Sequence, residues 1–214
     1  MQAVQPGNEN KGLDQILEQS AQLMAKKGYH GTSMRDLAQT TGRSLSGLYH
    51  YFSNKDELLF LINYRGFTSL VDAAQRLIND KQTAEQRLKC LISNHVNYFY
   101  RHQSEMRVMM FSTQQIDEVR SKEIKVLKNK YTNDFTTAVS DYILQISGKK
   151  ISKNLLERKS YLLFGMMNWV YGWFSTDEHG TVEELVEDIY STFTEGCLVV
   201  TKSEKNKHDE EEQH

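Results

Sequence analysis

Residues 40–59 read TTGRSLSGLYHYFSNKDELL, and their reading decides the fold. Gly42 follows the apolar positions Met34, Leu37 and Ala38, where a left-handed residue can close a short helix. Ser44 then offers a side-chain oxygen to the orphan amides of a new helix that should run to about His50. Two short helices joined by such a glycine-containing turn have the helix-turn-helix layout. If the second helix starts at Ser44, Leu48 and Phe52 point toward Leu37 and Ala38. Leu45, Ser46, Gly47, Tyr49 and Tyr51 are then left on or near the outer surface.

Working upstream, Ser33-Met34-Arg35-Asp36 has the form of a capping box. Before it, Leu13, Ile16, Leu17, Ala21 and Met24 fall at helical spacing and end at Lys26-Lys27-Gly28. Downstream, Ser53-Asn54-Lys55-Asp56 repeats the capping form ahead of Leu58, Leu59 and Ile62. Nothing else in the chain resists long helices. The single proline, Pro6, lies in the N-terminal tail, and 39% apolar residues can supply a core in a chain of 214. The fold expected is all-α.

Composition excludes several functions. Cys90 and Cys197 have no cysteine or histidine neighbours at ligand spacing, so neither a metal site nor a disulfide framework is expected, and no cofactor. No apolar run reaches the roughly 20 residues of a membrane span, and MQAVQPGNENKG lacks a secretory layout, so a soluble cytoplasmic protein is expected. A net charge of -2 does not announce a nucleic-acid binder. Residues 11–66 hold seven Lys/Arg against five Asp/Glu, a weak local excess.

The rest of the chain reads as longer helices. Thr83 caps one carrying Leu88, Leu91, Ile92, His95, Phe99 and His102, and a short piece follows around 104–111. Ile124, Leu127, Tyr131, Phe135, Ala138 and Tyr142 mark a long helix, broken by ISGKKISKN. From about Leu155 to Phe174 the chain is apolar almost all round, with Gly165 and Gly172 a heptad apart. Thr181 and Glu184 frame a last helix with the stripe Val182, Leu185, Val186, Ile189, Phe193, Gly196, Cys197 and Val200. The domains expected are a helix-turn-helix domain at 11–56 and an effector and dimerisation domain at 57–200. Residues 1–10 and 201–214 are left without structure.

The outer face of the second short helix suits DNA. Small residues at 46 and 47 admit a close approach to base edges, Leu45 fits a thymine methyl, and tyrosine hydroxyls and Lys55 suit phosphates. The same spacing also suits a helical interaction module whose aromatics are core. No paired carboxylates, nucleophile elbow or phosphate loop appears at a useful spacing, which argues against an enzyme.

The run ILEQSAQLMAKKGYHGTSMRDLAQTTGRSLSGLYHYFSNKDELL resembles the DNA-binding domain of the tetracycline repressor-like family of bacterial transcription regulators. The resemblance covers about residues 13 to 60 and combines GY..TS, DLA..TG and LYHYFSNKDELL in order. It implies an all-helical homodimer that binds a palindromic double-stranded DNA operator and a small-molecule effector. Carried over, it implies base contacts from Arg35, Leu45, Ser46 and Gly47, and phosphate contacts from Ser33, Ser44, Tyr49, Tyr51 and Lys55, with His50 in the same set. Leu45 departs from the polar residue often found there, which shifts readout toward apolar contact and DNA shape.

Two further expectations concern the C-terminal part. The apolar surface of its last helices exceeds what one subunit would easily cover, so Gly165, Gly172, Leu185, Ile189, Phe193 and Gly196 are expected at a dimer interface. Met and aromatic side chains suit an irregular apolar pocket, here His95, Phe99, Met106, Met110, Tyr131, Phe135, Asn168 and Trp169. FGMMNWVYGWFSTDEHGTVEELVEDIYSTFTEG also resembles regulators of fatty-acid or sterol degradation that respond to acyl-CoA thioesters. A multidrug-type repressor answering to hydrophobic cations is the alternative.

Overall fold

A computed structural model describes residues 6–111 and 116–211, with side chains for 11–110 and 116–196. Its elements are α1 (Pro6–Lys27), α2 (Met34–Thr41), α3 (Leu45–Tyr49), α4 (Lys55–Leu77), α5 (Ala84–Arg101), α6 (Gln103–Phe111), α7 (Glu118–Ser147), α8 (Lys153–Asn168), α9 (Val170–Trp173), α10 (Thr176–His179) and α11 (Val182–Glu211). Every described element is a helix, as the sequence implied. The chain divides into two compact units, residues 1–69 with 102–128 and residues 70–101 with 129–214. The division falls inside α4 and α7, so both helices are covalently shared, whereas the sequence suggested a cut at 56.

The first unit is built around the stretch quoted above. Ser33 and Asp36 form a reciprocal cap on α2: the Ser33 N–H donates to Asp36 Oδ2 at 2.9 Å, and the Asp36 N–H donates to Ser33 Oγ at 3.1 Å. Gly42 ends α2 at φ 63°, where a Cβ would be strained. Leu37, Leu48, Phe52, Leu58, Leu59 and Ile62 bury against Ile16, Leu17, Ala21 and Met24 of α1. Val108 of α6 and Ile116 and Ile124 near the start of α7 complete this core. The helix-turn-helix therefore shares its core with chain some fifty residues downstream.

Two local readings change. The cap of α4 is Asn54, whose Oδ1 accepts the Glu57 N–H at 2.8 Å, with Glu57 reaching back to the Ser53 N–H at 2.7 Å. Asp56, the expected partner of Ser53, instead accepts the Tyr29 hydroxyl. α1 starts at Pro6, the first helical position where a missing N–H costs nothing.

In the second unit α5 packs against α8, α9 and α11. Thr83 and Gln86 cap α5 reciprocally, and Thr181 and Glu184 do the same for α11. The helix expected over 155–174 is broken: α8 stops at Asn168, and Trp169 leaves helical geometry at ψ −3° before the single turn of α9. The α11 stripe Val182, Leu185, Val186, Ile189 and Phe193 is buried within the single chain. Leu185, Ile189 and Phe193 are therefore internal core rather than dimer surface, because α5 and α8 already cover them. α11 continues to Glu211, through the stretch from Thr201 that composition left without an element. Residues 1–5 and 212–214 of the expected tails lie outside those described, as do the side chains of Cys197 and Val200.

Candidate nucleic-acid interface and effector region

α3 has one buried side chain, Leu48, and its other positions turn outward. Ser44 Oγ accepts the Gly47 N–H at 3.1 Å and lies 3.0 Å from Ser46 Oγ, so the first turn is capped and its small side chains are tied together. A Cβ on Gly47 would come 3.2 Å from Ser44 Oγ, a crowding that favours glycine beside the cap. Leu45, Ser46, Tyr49 and His50 are exposed, Tyr49 to 52%. Arg35 is exposed on α2. α3 thus exposes small, apolar and aromatic groups and α2 a cation, residue types that suit a DNA groove and its flanking phosphates.

Three of the predicted contacts carry other duties. Lys55 is half-buried, and its ammonium donates to the carbonyls of Tyr29 at 2.7 Å and Thr32 at 2.8 Å. Desolvation holds its pKa below the ordinary lysine value. It clamps the α1–α2 loop instead of presenting a free charge to phosphate. Tyr51 is half-buried, packed on the core, with its hydroxyl 3.2 Å from where a Gly12 Cβ would stand. The Ser33 hydroxyl donates to Asp36 while accepting its N–H, so it is already committed to the cap. Asp36 is held well below the carboxylate range, first by the Lys27 ammonium at 2.8 Å and then by Ser33. Arg43, exposed immediately before the cap of α3, was counted in the sequence only as charge. Its signal was position: a cation one residue before the N-cap of the outward helix.

The predicted effector residues separate. His95, Phe99, Tyr131 and Phe135 come together with Phe164 in the second unit, with His95 stacked on Phe99 at 4.0 Å between centroids. The Tyr131 hydroxyl lies 3.3 Å from His95 Nδ1. Burial drives the His95 pKa down to about 3, so the ring is neutral. Asn168 sits close enough to favour the charged ring slightly, but His95 Nε2 has no hydrogen bond of normal geometry among the described residues. Burial likewise pushes the Tyr131 hydroxyl up. Met106 and Met110 belong to the other compact unit, Met106 buried and Met110 exposed. Trp169, at the C-terminal cap of α8, is 57% exposed, with its ring edge-on to Tyr171 at 5.6 Å between centroids.

An open cleft of about 520 Å³ lies elsewhere in the second unit, between α5 and α11. Gln82, Gln86, Lys89, Cys90, Ser93 and Asn97 line one wall, and Glu183, Val186 and Glu187 the other. None of the predicted effector residues reaches it. The remaining predicted interface residues, Gly165, Gly172 and Gly196, are exposed. Gly165 lies on an outward face of α8 and α9 with Tyr161 at 65%, Leu162 at 63%, Trp169 and Trp173 exposed. Among the described residues no three metal-ligating side chains cluster, and no helix is long and apolar enough to cross a membrane.

A capped short helix held outward on a buried scaffold defines a helix-turn-helix protein. Residues 16–62 match the family of bacterial regulatory proteins called the tetR family, and residues 81–197 match the tetracyclin repressor-like C-terminal domain. The chain belongs to the tetR family of bacterial regulatory proteins. It is 28% identical over 144 residues to the HTH-type transcriptional activator FasR of Mycolicibacterium smegmatis, covering 67% of this chain and 63% of FasR. It is 25% identical over 115 residues to the fatty acid metabolism regulator protein of Bacillus subtilis, covering 53% of this chain and 59% of that one. The match thus spans less than two thirds of either relative. Among solved structures, AibR in complex with isovaleryl coenzyme A and operator DNA is similar with a TM-score of 0.70 at 26% identity, covering 85% of this chain and 97% of AibR.

Proposed function

We propose that this regulator binds a palindromic operator as a homodimer, with α3 of each subunit in a major groove, and represses by occupying the promoter. The observation that carries the reading is the capped, outward face of α3, held from behind by Leu48 and Phe52. Arg35, Leu45, Ser46 and Gly47 meet bases, while Arg43, Ser44, Tyr49 and His50 meet phosphates. Leu45 has no hydrogen bond to offer and selects for a thymine methyl.

The dimer forms through the exposed face of α8 and α9, where Tyr161, Leu162, Gly165, Trp169 and Trp173 stand unburied in the single chain. The effector is an acyl-CoA thioester. Support comes from the similarity to a fatty acid metabolism regulator and to AibR bound to isovaleryl coenzyme A. The ligand shifts DNA occupancy by its differential affinity for the bound and free states, and a ratio of about a hundredfold suffices. The His95 cluster is packed ring against ring, so an acyl chain entering it has to displace Phe99 or Phe164.

Gel-shift titration against DNA from the protein's own promoter region, at two salt concentrations, tests the DNA reading. Tight binding that weakens steeply with salt is expected, and absent or salt-insensitive binding would sink it. Thermal-shift screening of acyl-CoAs of increasing chain length against hydrophobic cations tests the effector. If no acyl-CoA raised Tm or changed DNA affinity, that class would be wrong. A promoter reporter that rises on loss of the protein is the result repression requires.

A further inference from the structure

Behind the outward face, the start of α7 is fastened to the junction of α3 and α4. Arg120 Nη2 lies 3.2 Å from Glu57 Oε1, and its guanidinium carbon stands 5.6 Å from the centre of the Phe60 ring. Asp117 holds the other side: its Oδ1 accepts the Arg120 backbone N–H at 3.0 Å, and its Oδ2 accepts Nη1 at 3.4 Å. Glu57 passes the connection on. Its Oε2 accepts both the Ser53 backbone N–H, at 2.7 Å, and the Ser53 hydroxyl. Ser53 follows Phe52, whose own N–H returns to the Leu48 carbonyl of α3 at 3.2 Å.

α3 cannot hold its own direction. Five residues of helix are far below the length that is stable alone, so its aim is set by its one buried residue, Leu48, by Phe52 just beyond it, and by what grips its ends. The N-terminal end is gripped by the Gly42 turn and the Ser44 cap. The C-terminal end is gripped at Ser53, and the grip lies in the Glu57 carboxylate. Both charged side chains of the Arg120–Glu57 pair are largely withdrawn from solvent, at 30% and 26% exposure, which reduces screening relative to a surface pair.

We propose that Arg120 is a positioning residue for the reading helix: by holding the Glu57 carboxylate against Ser53, it fixes how the chain leaves α3 and so how α3 is presented to DNA, without touching DNA itself. The proposal rests on the DNA-binding reading above. Glu57 stays ionised to support the contact, its pKa lowered first by the Ser53 hydroxyl, then by the Ser53 N–H and, less, by Arg120. Arg120 stands 63 positions from Glu57 in sequence, so no local motif could have revealed the pairing.

The experiment compares the full-length protein with Arg120→Ala, Arg120→Lys, Glu57→Gln and the double variant Arg120→Ala/Glu57→Gln. Affinity for operator DNA is measured by fluorescence anisotropy across a salt series, and hydrogen exchange is followed at amides 48–53. Arg120→Ala should weaken binding by about threefold to tenfold, with the slope of log affinity against log salt unchanged. Glu57→Gln should match it, the double variant should be no weaker than the worse single, and Arg120→Lys should keep part of the affinity. Amides 48–53 should exchange faster in Arg120→Ala while the rest of the first unit stays protected.

A slope shallower by about 0.9 in Arg120→Ala would mean direct phosphate contact, and overturn the proposal. Additive losses in the double variant, or unchanged affinity and exchange, would overturn it while leaving DNA binding intact. A wild-type protein that binds no DNA at any salt would remove both readings together.

Discussion

The Lys55 ammonium donates to the backbone carbonyl of Tyr29 at 2.7 Å and lies 4.2 Å from the centre of the same residue's ring. A cation that the sequence offers to phosphate is thus spent on closing the α1–α2 loop. Lys55→Ala should lower stability by about 2 kcal/mol, since it leaves two carbonyls without their charged donor. The salt slope of DNA binding should not change. A slope lowered by about one contact, with Tm unaffected, would restore Lys55 to the phosphate set.

Leu45 and Leu48 are three positions apart on one short helix and should behave oppositely. Leu48 is fully buried, and Leu48→Ala should cost about 3 kcal/mol in chemical denaturation. Leu45 is exposed, so Leu45→Ala should leave the denaturation midpoint in place. Its effect should appear in operator selection, as a loss of about 1 kcal/mol of discrimination at one thymine position. A Leu45 variant that unfolds the protein would show that the face is packed rather than free.

His95 gives the second unit a pH signature. Its folded pKa of about 3 lies below the ordinary histidine value of 6.5, so the unfolded chain binds more protons between those limits. The associated stability is fully present above about pH 6.5 and is lost as pH falls toward 3. Between pH 7 and pH 5 the loss should be about 2 kcal/mol. His95→Phe should flatten that part of the profile. Asp36 and Glu57, whose carboxyls are lowered, lose their contributions only further into acid. An unchanged slope between pH 7 and 5 in His95→Phe would show that the ring is solvated.

Trp169 and Phe193 separate two kinds of apolar residue in the second unit. Trp169→Arg, on the exposed face, should convert a dimer to a monomer in analytical ultracentrifugation with little change in subunit stability. Phe193→Ala, in the buried stripe, should instead cost about 3 to 4 kcal/mol of folding stability. A dimer that survived Trp169→Arg would move the interface away from α8 and α9.

The residues of the first unit show why so much was legible. Ser33 with Asp36, Gly42, Ser44, and Leu48 with Phe52 act over three to five positions, and their geometry is dictated by helix pitch and capping alone. Lys55 was misread because its carbonyl partners, at 29 and 32, are more than twenty positions away. Trp169 was misread because the helix is interrupted at that single residue, which stands exposed between α8 and α9, and no glycine or proline there announces the break.

The sequence by itself determined the all-helical class, the caps of α2, α3, α5 and α11, the turn between α2 and α3, and the family to which that turn belongs, because each depends on neighbours a few residues apart. Only the tertiary structure decided which apolar surface is spare. The stripe of α11 and the outer face of α8 and α9 read alike as apolar runs, but α5 and α8 bury the first, and none of the described residues covers the second. Burial is a property of what packs against a helix, and periodicity along one chain segment carries no record of it.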